Sequence, residues 1–235
     1  MSVFKFKQFN LVQRESAAKL TTDATIFGAW LPFEDRMKSA LEIGTGTGIL
    51  SLMLAQRSAL SILALEIERK AFIESQYNFH HSPWTDQLSV IHEDFNQFQT
   101  DEKYDLIFSN PPFFTDNLQS AFNSAKNTAY HTNHLSLQNL ASGISKLLSD
   151  RGKASIMLPE HEMGKFVYLM QNLGLYVHHS LNIHHNINKP ALRVIHEFAK
   201  HEISEPKKQK IYIRDEINNF HPEYIKLLQP YLTIF

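Results

Sequence analysis

The sequence predicts an α/β fold, a mostly parallel sheet flanked by helices and extended near its C-terminus by an antiparallel hairpin. Three observations predict it. Between residues 39 and 158, short apolar runs alternate with helix-length amphipathic stretches, the βαβα order of a parallel sheet covered on both faces. A glycine-rich turn, Gly44 to Gly48, follows the first of those runs and opens a helix. After Pro159 the pattern changes to two long β-rich runs, 175–187 and 191–201, joined across Asn188-Lys189-Pro190, which adds an antiparallel member.

Taken in order, residues 1–38 form an N-terminal extension ahead of the first core strand. Within it the alternation Phe4-Lys5-Phe6-Lys7 reads as a strand with one buried face, and its basic and aromatic interleaving equally suits an RNA backbone. Strands are predicted at 40–43, 61–66, 88–92 and 104–109, with helices at 48–57 and 69–79. Residues 133–149 read as one long helix, because Leu135, Leu137, Leu140, Ile144, Leu147 and Leu148 stand mostly at helical spacing. Asp150-Arg151-Gly152 reads as a turn, and 153–158 as the next strand. A helix over 160–172 ends at Gly174, a residue suited to a C-terminal cap. The tail from Lys207 offers a short strand at 211–213 and one more helix. No linker, repeat or low-complexity tract divides the chain, so residues 1–235 are expected to form a single domain, with core and tail at 39–235.

Composition narrows the class. At 235 residues, with 43% hydrophobic and 20% charged side chains, the chain has a globular composition and can bury roughly 70–75% of its unfolded surface. There is no cysteine, which excludes disulfides, a thiolate nucleophile and Cys-ligated metal centres. No apolar run approaches the ~18–20 residues of a membrane span. The first ten residues carry Lys5 and Lys7 but no apolar signal region, so a cytoplasmic location is expected. Net charge is −1, yet its distribution is uneven. Residues 1–20 carry four basic side chains against one acidic, and residues 189–214 seven against three, whereas residues 86–116 carry seven acidic against one basic. Basic rims beside an acidic centre suit an anionic partner on one face.

Two motifs carry chemistry. In Glu42-Ile43-Gly44-Thr45-Gly46-Thr47-Gly48 the glycines Gly44, Gly46 and Gly48 permit positive φ and close approach of a ligand to the backbone, and the following helix contributes its positive end. The spacing is G-x-G-x-G, with Ile49 where a dinucleotide fingerprint needs its third glycine. Glu42 before it suits a cationic or amine-bearing ligand. Glu66 closes the second strand, eighteen residues beyond Gly48, where a carboxylate can accept both hydroxyls of a ribose; Glu68 is its rival. Asp94, after the third strand, can hold an adenine amino group or cap a turn. The second motif, Asn110-Pro111-Pro112-Phe113, follows the strand at 104–109. Its prolines fix the backbone where a parallel sheet exposes its ligand edge. There the Asn110 side-chain carbonyl and the Pro111 backbone carbonyl can accept from one planar amino group, with Phe113 stacking on the base.

These residues resemble class I S-adenosylmethionine-dependent methyltransferases with a Rossmann-like fold, in the branch that methylates planar exocyclic amines. Phe6-Lys7-Gln8-Phe9, the segment from Lys19 to Asp23, Ser82-Pro83-Trp84 and residues 129–132 extend the resemblance to the bacterial tRNA1(Val) (adenine(37)-N6)-methyltransferase family, over about residues 4–198. Family members more often have Tyr after the two prolines and Gly where Ala24 stands; Phe113 keeps the stacking face without the hydroxyl. The resemblance implies S-adenosylmethionine as cofactor, tRNA as partner, and methylation of N6 on adenine 37. It implies that the segment from Lys19 to Asp23 closes over the cofactor, bringing Thr22 or Asp23 near its methionine end. Phosphates of the RNA are expected on Lys5 and Lys7 and on Lys207, Lys208 and Lys210, and the enzyme is expected to be a monomer.

Two alternatives stay open on the residues alone: a protein glutamine N5-methyltransferase, whose substrate presents the same planar amide, and a non-catalytic RNA-binding module on this fold. No metal is expected. The thirteen histidines include adjacent pairs, which on a strand point to opposite faces, and no H-E-x-x-H occurs.

Overall fold

The computed structural model describes residues 3–16, 19–111 and 135–235. Expectations for Pro112, Phe113 and residues 129–134 lie outside the described residues. Strands β1 (Val3–Lys5) and β2 (Asn10–Val12) pair as an antiparallel hairpin. Helix α1 (Thr22–Trp30) follows, then β3 (Ser39–Ile43), α2 (Ile49–Ala55), β4 (Ser61–Glu66), α3 (Arg69–His80), β5 (Leu88–His92) and β6 (Tyr104–Ser109). The remaining elements are α4 (Leu137–Leu147), β7 (Leu148–Leu158), α5 (Glu160–Asn172), β8 (Tyr176–His184), β9 (Ala191–Ala199), β10 (Lys207–Tyr212) and α6 (Pro222–Leu228).

Eight strands among the described residues form one sheet in the order β10-β8-β9-β7-β6-β3-β4-β5. Of these, β9 alone runs against the others, antiparallel to both β7 and β8. The chain winds outward from β3 through β4 to β5, then returns to β6 on the other side of β3. That reversal opens a crevice at the carboxyl ends of β3 and β6. Burial on both faces explains why the central strands read as continuous apolar runs: Ala40 to Ile43 and Leu106 to Ser109 are all buried. One core lies under α1, α2, α3 and α6, with Phe27, Leu52, Met53 and Phe108 at its centre. The other lies under α4 and α5, with Ile144, Phe166, Phe198 and Ile107.

Three expectations are corrected. The helix predicted at 133–149 is described from Leu137, where Ser136 caps it by accepting from the Asn139 N–H at 3.1 Å. It stops at Leu147, because Leu148 already pairs with Tyr104 as the first residue of β7. Leu148 is buried in either conformation, so apolar spacing could not separate them. The predicted turn at 150–152 is a bulge within β7, between the Tyr104–Leu148 and Leu106–Lys153 pairs. The tail strand runs over Lys207–Tyr212, not 211–213. Its first four residues are exposed and polar on the sheet edge, a common guard against edge pairing that hides a strand from hydropathy.

The N-terminal extension also holds more than one strand. Phe6 stacks on Phe9 with ring centres 4.4 Å apart, and Phe9 meets Trp84 edge-on. The chain then follows α3 towards the crevice and enters α1. Helix α1 gave no periodic pattern because Ala24 to Gly28 are buried in an unbroken run. No helix among the described residues is long and apolar enough to cross a membrane.

Candidate active site

The crevice is a cleft of about 460 Å³ built from the carboxyl ends of β3 to β6, with the entry to α1 along one wall. Between β3 and α2 the three motif glycines adopt φ of +72°, +59° and +86°, a region that side-chain-bearing residues rarely occupy. The loop folds back on β4, with the Gly44 and Thr45 N–H groups donating to the Leu65 carbonyl at 2.9 and 3.0 Å. Gly48 meets a second demand, since a Cβ there would stand 2.5 Å from the Phe79 ring of α3.

The acids divide by their partners. Glu66 is 7% exposed, and one carboxylate oxygen accepts from the Gly46 N–H at 2.7 Å while the other accepts from the Glu68 N–H at 2.8 Å. Both it and Glu68 border the cleft, but the Glu68 carboxylate caps α3, accepting from the Lys70 and Ala71 N–H groups at 3.0 and 2.7 Å. Asp94 makes the turn that the sequence allowed: one oxygen accepts from the backbone and side-chain nitrogens of Asn96 at 2.9 and 3.0 Å. It lines the cleft as well, beside the half-buried Phe95. Gly143 of α4 faces the Phe95 ring so closely that a Cβ would collide with it.

Glu42 lies at the cleft floor, fully inside the protein. One of its oxygens accepts from the Thr45 hydroxyl at 2.7 Å and from the Ser51 hydroxyl. Burial pushes its carboxyl from the usual 4.5 up to about 7, against the pull of the two hydroxyl donors. The folded protein therefore binds this proton more tightly than the unfolded chain. The resulting stabilisation is complete below about pH 4.5 and is lost as pH rises through about 7. Glu42→Gln cannot ionise and keeps an acceptor for both hydroxyls. In urea titrations from about pH 5 to 8, its stability is expected to decline less with pH than that of the wild type; parallel curves would show that Glu42 is charged throughout.

At the end of β6, the Ser109 hydroxyl donates to the Ile43 carbonyl at 2.6 Å and locks β6 to β3. Asn110 follows at the cleft edge, and its side-chain oxygen is buried with no hydrogen-bond partner among the described residues. Pro111 lines the cleft next to it. A buried amide oxygen without a donor is costly, so this oxygen is open to a donor from beyond the described residues.

Of the segment from Lys19 to Asp23, Lys19, Thr21 and Asp23 line the cleft. Thr21 caps α1 and borders the cleft, as does Asp23, whose carboxylate lies 3.4 Å from the Arg193 guanidinium of β9. Thr22 is exposed and is not among the cleft-lining residues. The sequence reading did not find Arg193, Phe95, Leu135 or Ser16, which also line it. Each comes from an element without a motif, and only the fold brings them together.

The expected RNA-binding lysines fall in two places. Cross-strand register sets Lys208 level with Ser180, His196, Ile156 and finally Ser109. The exposed Lys207, Lys208 and Lys210 thus stand at the height of Asn110, about 19 Å away across four strand spacings. Lys5 and Lys7 lie elsewhere. The Lys7 ammonium donates to the Gln229 carbonyl at 2.6 Å. The adjacent Pro230 carbonyl accepts from Gln56, at the end of α2 remote from the glycine loop.

Comparison with known proteins bears on the family and the fold. The family model "Methyltransferase small domain" matches residues 16–138. The chain is 36% identical to a tRNA1(Val) (adenine(37)-N6)-methyltransferase of Bacteroides fragilis, over 97% of this chain and 96% of that protein. It is 34% identical to one of Dyadobacter fermentans, over 99% and 98%. Among solved structures it is similar to a predicted O-methyltransferase of Agrobacterium tumefaciens, at TM-score 0.66 and 14% identity over 88% of this chain and 95% of that one. It is also similar to a ribosomal protein L11 methylase of Lactobacillus delbrueckii, at TM-score 0.55 and 14% identity over 77% and 79%. The fold is that of the class I methyltransferases.

Proposed function

We propose a function from one established premise: the chain belongs to the tRNA1(Val) (adenine(37)-N6)-methyltransferase family. It transfers a methyl group from S-adenosylmethionine to N6 of adenine 37 in tRNA1(Val), as a metal-free cytoplasmic monomer. The observation that carries this reading is the Asn110 oxygen, buried without a partner among the described residues at the edge of a glycine-lined cleft.

The residues present fit S-adenosylmethionine. Glu66 can accept the ribose hydroxyls on the lone pairs that Gly46 and Glu68 leave free, Asp94 can hold the adenine amine beside Phe95, and the backbone of Gly44 and Gly46 leaves room along the floor. Gly48 does not line the cleft and serves the loop by packing against Phe79. Asp23 and Thr21 border the end suited to the methionine amine, with Thr22 beside them, and Glu42 holds the loop from below. When bound, the cofactor supplies a methyl group already activated on a sulfonium, so no covalent enzyme intermediate or metal is required. The chain's own work is positioning. The N6 lone pair of adenine is delocalised into the ring. By accepting the N6 hydrogens, the Asn110 and Pro111 carbonyls favour a pyramidal nitrogen and stabilise the positive charge that develops there. The motif assigns Pro112 to restricting the backbone and Phe113 to stacking on the base; both lie outside the described residues. The target base must leave its stack to reach this edge.

The test is methyl transfer from labelled S-adenosylmethionine to bulk tRNA lacking N6-methyladenine, followed by mapping of the modified base. Label at adenine 37 of tRNA1(Val) is expected; label on protein glutamine instead, or none on RNA, would overturn the reading. Lys207, Lys208 and Lys210 grip phosphates in this reading. Replacing all three by Gln is expected to weaken tRNA binding and to shallow its salt dependence, by about 0.7 log units per log unit of salt for each phosphate no longer neutralised. The Lys5 and Lys7 pair, on the far side of α2, is expected to change the slope less. Equal slopes for wild type and the triple variant would leave those lysines merely solvated.

A further inference from the structure

We infer that Glu74 and Asn78 are positioning residues for the cleft: from one face of α3 they hold residues 12–16 in place against the glycine loop. The inference rests on the reading of the cleft as the S-adenosylmethionine site.

Both side chains are polar and buried, at 6% and 2% exposure, and neither belongs to a motif. Spaced four apart on α3, they lie one turn above the other on the same side. Glu74 accepts from three successive backbone N–H groups, those of Arg14, Glu15 at 3.1 Å and Ser16 at 3.0 Å. Strand β2 ends at Val12, so these amides have left the ladder, and the chain bends around the carboxylate instead. Asn78 completes the tie. Its oxygen accepts from the Val12 N–H at 2.9 Å, and its nitrogen donates to the Val12 carbonyl at 2.9 Å and to the Thr47 carbonyl at 2.8 Å. Thr47 lies inside the glycine loop. One side chain therefore spans the N-terminal chain and the loop, so neither can shift without the other.

The clasped chain leads straight to the cleft wall. Ser16 lines the cleft, and so does Lys19, whose ammonium donates back to the carbonyls of Gln13 and Arg14 at 2.9 and 3.0 Å. A tie that served only to glue the extension down would need no carboxylate buried at the very residues where the chain enters the cleft. Charge-assisted bonds to N–H groups are directional and strong, which suits a wall that must hold its shape against a ligand.

Glu74→Gln keeps the size of the side chain but aims an amide nitrogen at donors. Its affinity for S-adenosylmethionine, by calorimetry, is expected to fall roughly tenfold, the worth of one charge-assisted hydrogen bond. Affinity for tRNA without cofactor should be unchanged. Hydrogen exchange at the Arg14, Glu15 and Ser16 amides should quicken while β3 and β4 stay protected, and Glu74→Asp should recover part of the affinity. A folded Glu74→Gln protein with wild-type cofactor affinity would overturn the inference. If that variant does not fold, exchange in the wild type decides: protection of those amides that rises with cofactor supports positioning, and protection indifferent to cofactor overturns it. Wild-type protein that fails to bind S-adenosylmethionine would overturn the cleft reading itself, a different failure from an indifferent Glu74.

Discussion

Asn110→Ala is expected to lower the rate of methyl transfer by on the order of 10²–10³ while leaving affinity for S-adenosylmethionine nearly unchanged. The size follows from the bond removed. The Asn110 oxygen is already desolvated and has no partner among the described residues, so its bond to the incoming amine does not compete with water. That bond also strengthens as positive charge grows on the nitrogen, which places it among interactions worth most in the transition state. The selectivity follows from position: Glu66 and the glycine loop sit on β4 and β3, and the Ser109–Ile43 bond that fixes the end of β6 does not involve the Asn110 side chain. Removing a buried acceptor that has no partner among the described residues should not destabilise the fold they form. Single-turnover transfer, cofactor calorimetry and a thermal melt together check all three parts. A variant with wild-type turnover would take Asn110 out of the mechanism.

The two motifs were legible because their chemistry is local. Gly44 to Gly48 must form one turn, and Asn110-Pro111 must end one strand, so their spacing survives any tertiary context. The same holds for the parallel core, whose strands are buried on both faces and read as plain apolar runs. Legibility failed where burial or exposure erased the pattern. Helix α1 is buried without interruption and Lys207 to Lys210 form a strand that is polar and exposed. Leu148 kept a helix-like spacing while serving as a strand residue. The cleft walls failed for another reason. Arg193 reaches the cleft from β9 and Phe95 from the turn after β5, which only a completed sheet brings to one place. Likewise Glu74 and Asn78 are ordinary polar residues on a helix until the N-terminal chain is laid across them. Charge windows treated Lys5 and Lys7 as equivalent to the lysines of β10, whereas the fold sets Lys7 against the Gln229 carbonyl and Lys207 to Lys210 on the sheet edge.

Glu66→Ala and Glu68→Ala are expected to fail in opposite ways, and the pair decides which acid serves the cofactor. Both carboxylates border the cleft, two residues apart. Glu68 spends its oxygens on the Lys70 and Ala71 amides that begin α3. Losing that cap should cost about 1 kcal/mol of stability, a fall of roughly 2–4 °C in Tm for a chain of this size, with cofactor affinity within about threefold of wild type. Among the described residues Glu66 accepts one N–H on each oxygen, and a carboxylate has about four acceptor positions, so it retains lone pairs for two ribose hydroxyls. Each charge-assisted bond is worth about 1.5–3 kcal/mol, so its removal should weaken S-adenosylmethionine binding by at least ~10-fold. The loss of the Gly46 tether adds to the effect by loosening the loop that borders the same ligand. Glu66→Gln separates the two contributions, because its carbonyl can still accept from Gly46 while its charge is gone; an affinity between wild type and Glu66→Ala is expected. Calorimetry and thermal melts on the three variants form the test. Should Glu68→Ala lose affinity while Glu66→Ala keeps it, the ribose contact belongs to Glu68, and the Gly46 tether is a loop brace with no part in binding.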